Sequence, residues 1–69
     1  MLLDRYITAG NHIVHLTIDQ SNAGWDVCEE LDSATVHVEH HDDWHRVERA
    51  MDRLEREVRH GVFAVTAHH

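Results

Sequence analysis

The chain has 69 residues, with thirteen carboxylates against six arginines, no lysine, nine histidines, one cysteine, no proline and a formal charge of −7. That length makes a single domain over residues 1–69, able to bury only about 60% of its unfolded surface, so a homodimer would ease the shortage of core. The lone Cys28 excludes an internal disulfide, and no stretch has the length of a membrane-spanning helix or the layout of a signal peptide, so a cytoplasmic protein is expected.

Residues 1 to 42 hold Asp4, Asp19, Asp26, Glu29, Glu30, Asp32, Glu39 and Asp42 against Arg5 alone. An excess of that sign argues against contact with a phosphate backbone and for a basic partner or simple solubility. Protonating all nine histidines would move the formal charge from −7 to +2, so charge-dependent behaviour should change in the mildly acidic range.

Met1 to Ala9 alternates poorly, but Gly10-Asn11 is a pair that closes a hairpin, so this segment reads as a strand. His12 to Asp19 is a strand by its β-branched density, with Val14, Leu16 and Ile18 on one face and Ile13, His15, Thr17 and Asp19 on the other. Gln20 to Gly24 is loop. Trp25, Val27 and Leu31 then alternate with Asp26, Cys28 and Glu30, and Glu29 is the one charge on the apolar side, at a sheet margin or a bulge. Asp32-Ser33 is a tight turn, followed by Ala34 to His40 with Val36 and Val38 inward and Thr35, His37 and Glu39 outward. Pairing Leu31 with Ala34 sets Val27 opposite Val38 and Cys28 opposite His37, while pairing Leu16 with Val27 sets His15 opposite Cys28.

Asp42 to His60 is an amphipathic helix. At about 100° per residue, Val47, Met51, Leu54 and Val58 form one stripe with Trp44 and Ala50 at its flanks. Asp42 or Asp43 caps the amino end, and Gly61 supplies the stop. Asp42–Arg46, Asp52–Arg56 and Glu55–Arg59 stand four apart with the acid first, each pair worth a few tenths of a kcal/mol. Val62 to Ala67 is short, apolar and β-prone, and either returns as an edge strand or tucks Phe63 under the helix end. The fold class is therefore α+β, a three-strand antiparallel meander with room for extra edge strands and one amphipathic helix on a face.

In that register His15, Cys28 and His37 form a row across three strands on the solvent face, and thiolate and imidazole suit zinc. Against this, a straight row holds its outer members roughly 10 Å apart, and no familiar zinc spacing is present, so no cofactor is expected and adventitious zinc binding is the bland alternative. The dense run from His37 to His45 straddles the strand-to-helix junction, where Asp42 and Asp43 have capping work, and a chain this short leaves little room for a substrate pocket. A non-enzymatic protein follows. Nucleic acid is disfavoured because the exposed sheet would show Asp26, Glu30 and Glu39, where a groove-reading surface wants arginine and aromatic groups.

The favoured reading is a small acidic interaction module that docks on a larger protein partner through Asp26, Glu30 and Glu39 on the sheet or Arg46, Arg49 and Arg53 on the helix. The alternative is a metal- or pH-responsive regulator using His15, Cys28 and His37. In layout alone, three strands, a helix and a fourth strand are similar to the small antitoxin domains of the HicB type, and several phage-encoded inhibitors share this size and acidity. That likeness implies an inhibitor or antitoxin-like role; it is one of architecture, which many functions share.

Overall fold

The computed structural model describes residues 2–61, in which four antiparallel strands in the order β1-β2-β3-β4 carry one helix on one face. β1 spans Leu3–Ala9, β2 His12–Ser21, β3 Gly24–Leu31, β4 Ala34–His41 and α1 Trp44–Arg59. The α+β meander is as expected, with β1 as the additional edge strand. The expectation for 62–67 lies outside the described residues.

All three hairpins close through two residues. Gly10 has φ +63° and Asn11 does not share the positive sign, the pattern of a type II′ turn, whereas Asp32 and Ser33 at 50° and 74° both have the positive φ that type I′ requires. Ala23 sits at φ 55°, a left-handed conformation that costs an L-residue roughly 1–2 kcal/mol. Gly24 lies close to another part of the chain, since a Cβ there would stand 2.3 Å from the His41 carbonyl oxygen.

The β2–β3 turn is tighter than the five-residue loop expected from Gln20 to Gly24. Leu16 consequently pairs with Glu29 and Ile18 with Val27. That shift of two residues leaves every side chain on its expected face. Between β3 and β4 the outcome differs. Leu31 pairs with Ala34 as expected, but a bulge at Glu29/Glu30 places Thr35 opposite Glu30 and His37 opposite Glu29, leaving Val36 over. A one-residue shift turns a strand over. Val27 meets Glu39 and Cys28 meets Val38, so His37, Glu39 and His41 face the helix while Val38 faces outward, 55% exposed. The expectation of Val38 inward and of His37 and Glu39 outward is corrected accordingly.

The core is built from Ile7, Val14, Leu16, Ile18 and Val27 of the sheet against Val47, Ala50, Met51, Leu54 and Val58 of α1. Each large aliphatic side chain so buried contributes about 1.5–3 kcal/mol before chain entropy is charged. Trp44, at the flank of the apolar stripe, is 39% exposed and meets Trp25 edge-on at 5.3 Å between ring centroids. Asp43 is the cap, its side chain accepting from the His45 N–H at 2.9 Å, and Gly61 follows the helix at φ +76°. Of the three acid-first pairs expected along α1, Glu55–Arg59 is formed among the described residues, at 2.8 Å. Glu55 also takes Arg5 from β1, and the two guanidinium groups, Arg59 foremost, hold its carboxyl below the usual range.

Candidate functional site

The sheet has two chemically different faces. On the helix side, the overturned β4 brings charge into the seam beside α1. Glu39 accepts from His37 Nε2 at 2.6 Å and His41 Nε2 at 2.9 Å, and Arg53 reaches down from the helix to the same carboxylate. Beside this group Glu29 occupies a core position at 2% exposure, with Oε1 lacking a hydrogen-bond partner. Burial pushes its carboxyl up from the ordinary value, with His37 and Arg53 opposing that rise and Glu57 adding to it. Charged groups pointing inward from an edge strand also discourage the strand from pairing with another chain.

The outer face is left uncovered by α1 and is read in rungs across the strands. Tyr6, His15 and Glu30 form one rung; Asp4, Thr17, Cys28 and Val38 the next; Asp19, Asp26 and His40 the third. Like charges directly opposite each other weaken a sheet, and Asp19 stands opposite Asp26. No arginine shares this face: Arg5 is on the helix side, paired with Glu55, and the other five belong to α1. Among the carboxylates Tyr6, Ile13 and Val38 are 67%, 54% and 55% exposed.

Imidazoles are set against these carboxylates. His40 Nδ1 donates to Asp26 at 2.8 Å, with Ser21 Oγ 3.3 Å from the same nitrogen. His15 Nδ1 donates to Glu30 at 3.2 Å, and its Nε2, buried and without a hydrogen bond, lies 4.0 Å from Asp4. The Tyr6 ring stacks flat on His15 at 4.1 Å, beside a recess of 410 Å³ lined by Tyr6, Ile13, His15, Glu30, Asp32 and Ser33. At the turn, His12 Nδ1 donates to Asp32 at 2.6 Å and the Ile13 N–H to the same carboxylate at 3.0 Å; His12 first, then Ile13, hold that carboxyl below its ordinary value. Burial pushes the Cys28 thiol up from its ordinary value, against the lowering effect of Thr17, which makes it a poor nucleophile at neutral pH.

The expected row of His15, Cys28 and His37 does not assemble. His15 and Cys28 share the outer face, but Thr17 rather than His15 stands opposite Cys28, and His37 lies on the helix side. Among the described residues, no three His, Cys, Asp or Glu side chains are grouped so that they could hold a metal ion. Of the partner-binding candidates, Asp26 and Glu30 do share the open face. Glu39 is withdrawn into the seam with Arg53, while Arg46 and Arg49 are exposed on the helix, away from the acids of the sheet. Sequence reasoning placed Ile13 with His15 on the outer parity of β2 but missed Asp4 and Tyr6 as members of that face. Their signal was the two-residue Gly10-Asn11 turn, which fixes the parity of β1 against β2.

No helix among the described residues is long and apolar enough to cross a membrane. Comparison with protein-family models, with curated proteins and with solved structures returned no match for this chain.

Proposed function

We propose that the protein is a non-enzymatic interaction module whose open sheet face docks on the basic surface of a larger protein. The observation that carries this reading is the segregation of charge. Asp4, Asp19, Asp26 and Glu30 share one face with exposed Tyr6, Ile13 and Val38, while every arginine of the chain lies on the other side. Exposed apolar side chains interleaved with charges can serve a protein interface: the apolar groups supply burial and the charges supply partner choice and encounter rate. An acidic surface of this kind competes with nucleic acid for a basic protein, which is the service an inhibitor or antitoxin-like regulator performs.

The test compares three immobilised forms: wild type, Asp26→Asn/Glu30→Gln on the sheet face, and Glu48→Gln/Asp52→Asn on the exposed side of α1. A partner that uses the sheet face is retained by the wild type and the helix variant, released by salt, and bound at least about tenfold more weakly by the sheet variant. Equal retention by all three forms, or loss with the helix variant alone, overturns the reading.

A further inference from the structure

We infer that docking through the sheet face is released by mild acid, with His12, His15 and His40 as the groups that release it. The inference rests on the docking proposed above and deepens it by assigning the regulation of that same face. Five carboxylates give the face and its turn their charge: Asp4, Asp19, Asp26, Glu30 and Asp32. Three imidazoles lie against four of these, each bridging strands rather than pointing away. His40 reaches from β4 to Asp26 on β3 at 2.8 Å, His15 from β2 to Glu30 on β3 at 3.2 Å and toward Asp4 on β1 at 4.0 Å, and His12 to Asp32 in the β3–β4 turn at 2.6 Å.

Beyond these carboxylates, Tyr6 stacked on His15 and Ser21 beside His40 are neutral in the range that matters. Histidine is the side chain whose charge changes between pH 5 and 8. A neutral imidazole donates one hydrogen bond and leaves its carboxylate with a full negative charge to offer a partner. A protonated imidazole forms an ion pair within the protein, so three of the five charges are cancelled at home. The face passes from a formal charge of −5 to −2 without moving a strand. A basic partner held by complementarity then loses the attraction that steers and holds it.

The experiment uses the whole chain and a fluorescein-labelled oligolysine peptide as the basic probe, at fixed ionic strength, near pH 7.5 and about pH 5.5. Wild type is expected to bind at least about tenfold more weakly at the lower pH, and His12→Gln/His15→Gln/His40→Gln to hold its affinity within about twofold. His45→Gln/His60→Gln removes imidazoles on and after the helix; it is expected to keep the full acid-dependent loss, which separates the face from overall charge. His15 is packed under Tyr6, so His12→Gln/His40→Gln serves as a second, less intrusive variant, expected to lose most of the pH response while circular dichroism stays unchanged. If wild type binds near pH 7.5 and the triple variant releases the probe as wild type does, the acid switch is wrong and the docking reading stands. If wild type fails to bind near pH 7.5, or Asp26→Asn/Glu30→Gln binds equally well, the docking reading falls and the switch falls with it.

Discussion

The two faces of one four-stranded sheet treat carboxylates in opposite ways. On the helix side Glu39 is surrounded by Arg53, His37 and His41, and Glu55 by Arg5 and Arg59. On the outer side Asp4, Asp26 and Glu30 have imidazoles for neighbours and no guanidinium. Permanent cations fix the charge of the first set, whereas the partners of the second set are the kind whose charge depends on the solution. Cohesion is thus concentrated under the helix, and adjustable charge is presented to solvent.

Substitution of matched residues on the two sides would break this contrast most visibly. Leu16→Ala, in the core, is expected to lower the unfolding free energy by about 2–5 kcal/mol, while Ile13→Ala on the outer face costs under about 1 kcal/mol, as urea titration would register. Equal losses would mean that the outer face is buried in solution, as in a homodimer. Next in size, Glu39→Ala strips Arg53 and two histidines of their shared acceptor and should cost about 1–3 kcal/mol, against under about 1 kcal/mol for Glu30→Ala.

Glu29 sharpens the comparison through pH. Its folded value lies above the ordinary 4.5, so its contribution to stability is fully present below about pH 4.5 and is lost as pH rises through the raised folded value. Glu29→Gln, which carries no charge to bury, should therefore match wild type near pH 4 and exceed it by about 1 kcal/mol near neutrality in parallel urea titrations. The smallest effect belongs to Ala23→Gly, which relieves the left-handed methyl at the β2–β3 turn and should raise stability by a few tenths to about 1 kcal/mol, read as a small rise in the thermal midpoint.

Much of the frame could be read from the residues. The helix ran from its Asp43 cap toward Gly61 because stripe, cap and stop agreed, and Asp32-Ser33 turned where two consecutive small polar residues permit positive φ. The faces of β2 and β3 survived a wrong loop length, since a shift of two residues preserves parity. β4 was misread because Val36 and Val38 offered the better alternation for a buried strand. What reverses it is long-range: Glu29 sits on the apolar parity of β3, and the cation able to neutralise Glu39 beside it is Arg53, fourteen residues along the chain from Glu39. A carboxylate on the apolar side of one strand, with an arginine over it on the helix, was the available clue. The candidate site suffered most, because one bulge exchanges the side chains of β4 beyond it, from His37 onward, between faces and so removed both His37 and Glu39 from the surface on which they were expected.

The confinement of all six arginines to the helix side has a further consequence for how this molecule moves before it touches anything. Carboxylates offset by no arginine on the sheet face make the charge distribution uneven, and an approaching cationic object exerts a torque on the molecule. Tumbling is then biased so that the sheet is turned toward that object over distances of about a Debye length, roughly 8–10 Å in ordinary salt. Orientation would precede contact, and the fraction of collisions that are productive would rise as the ionic strength falls.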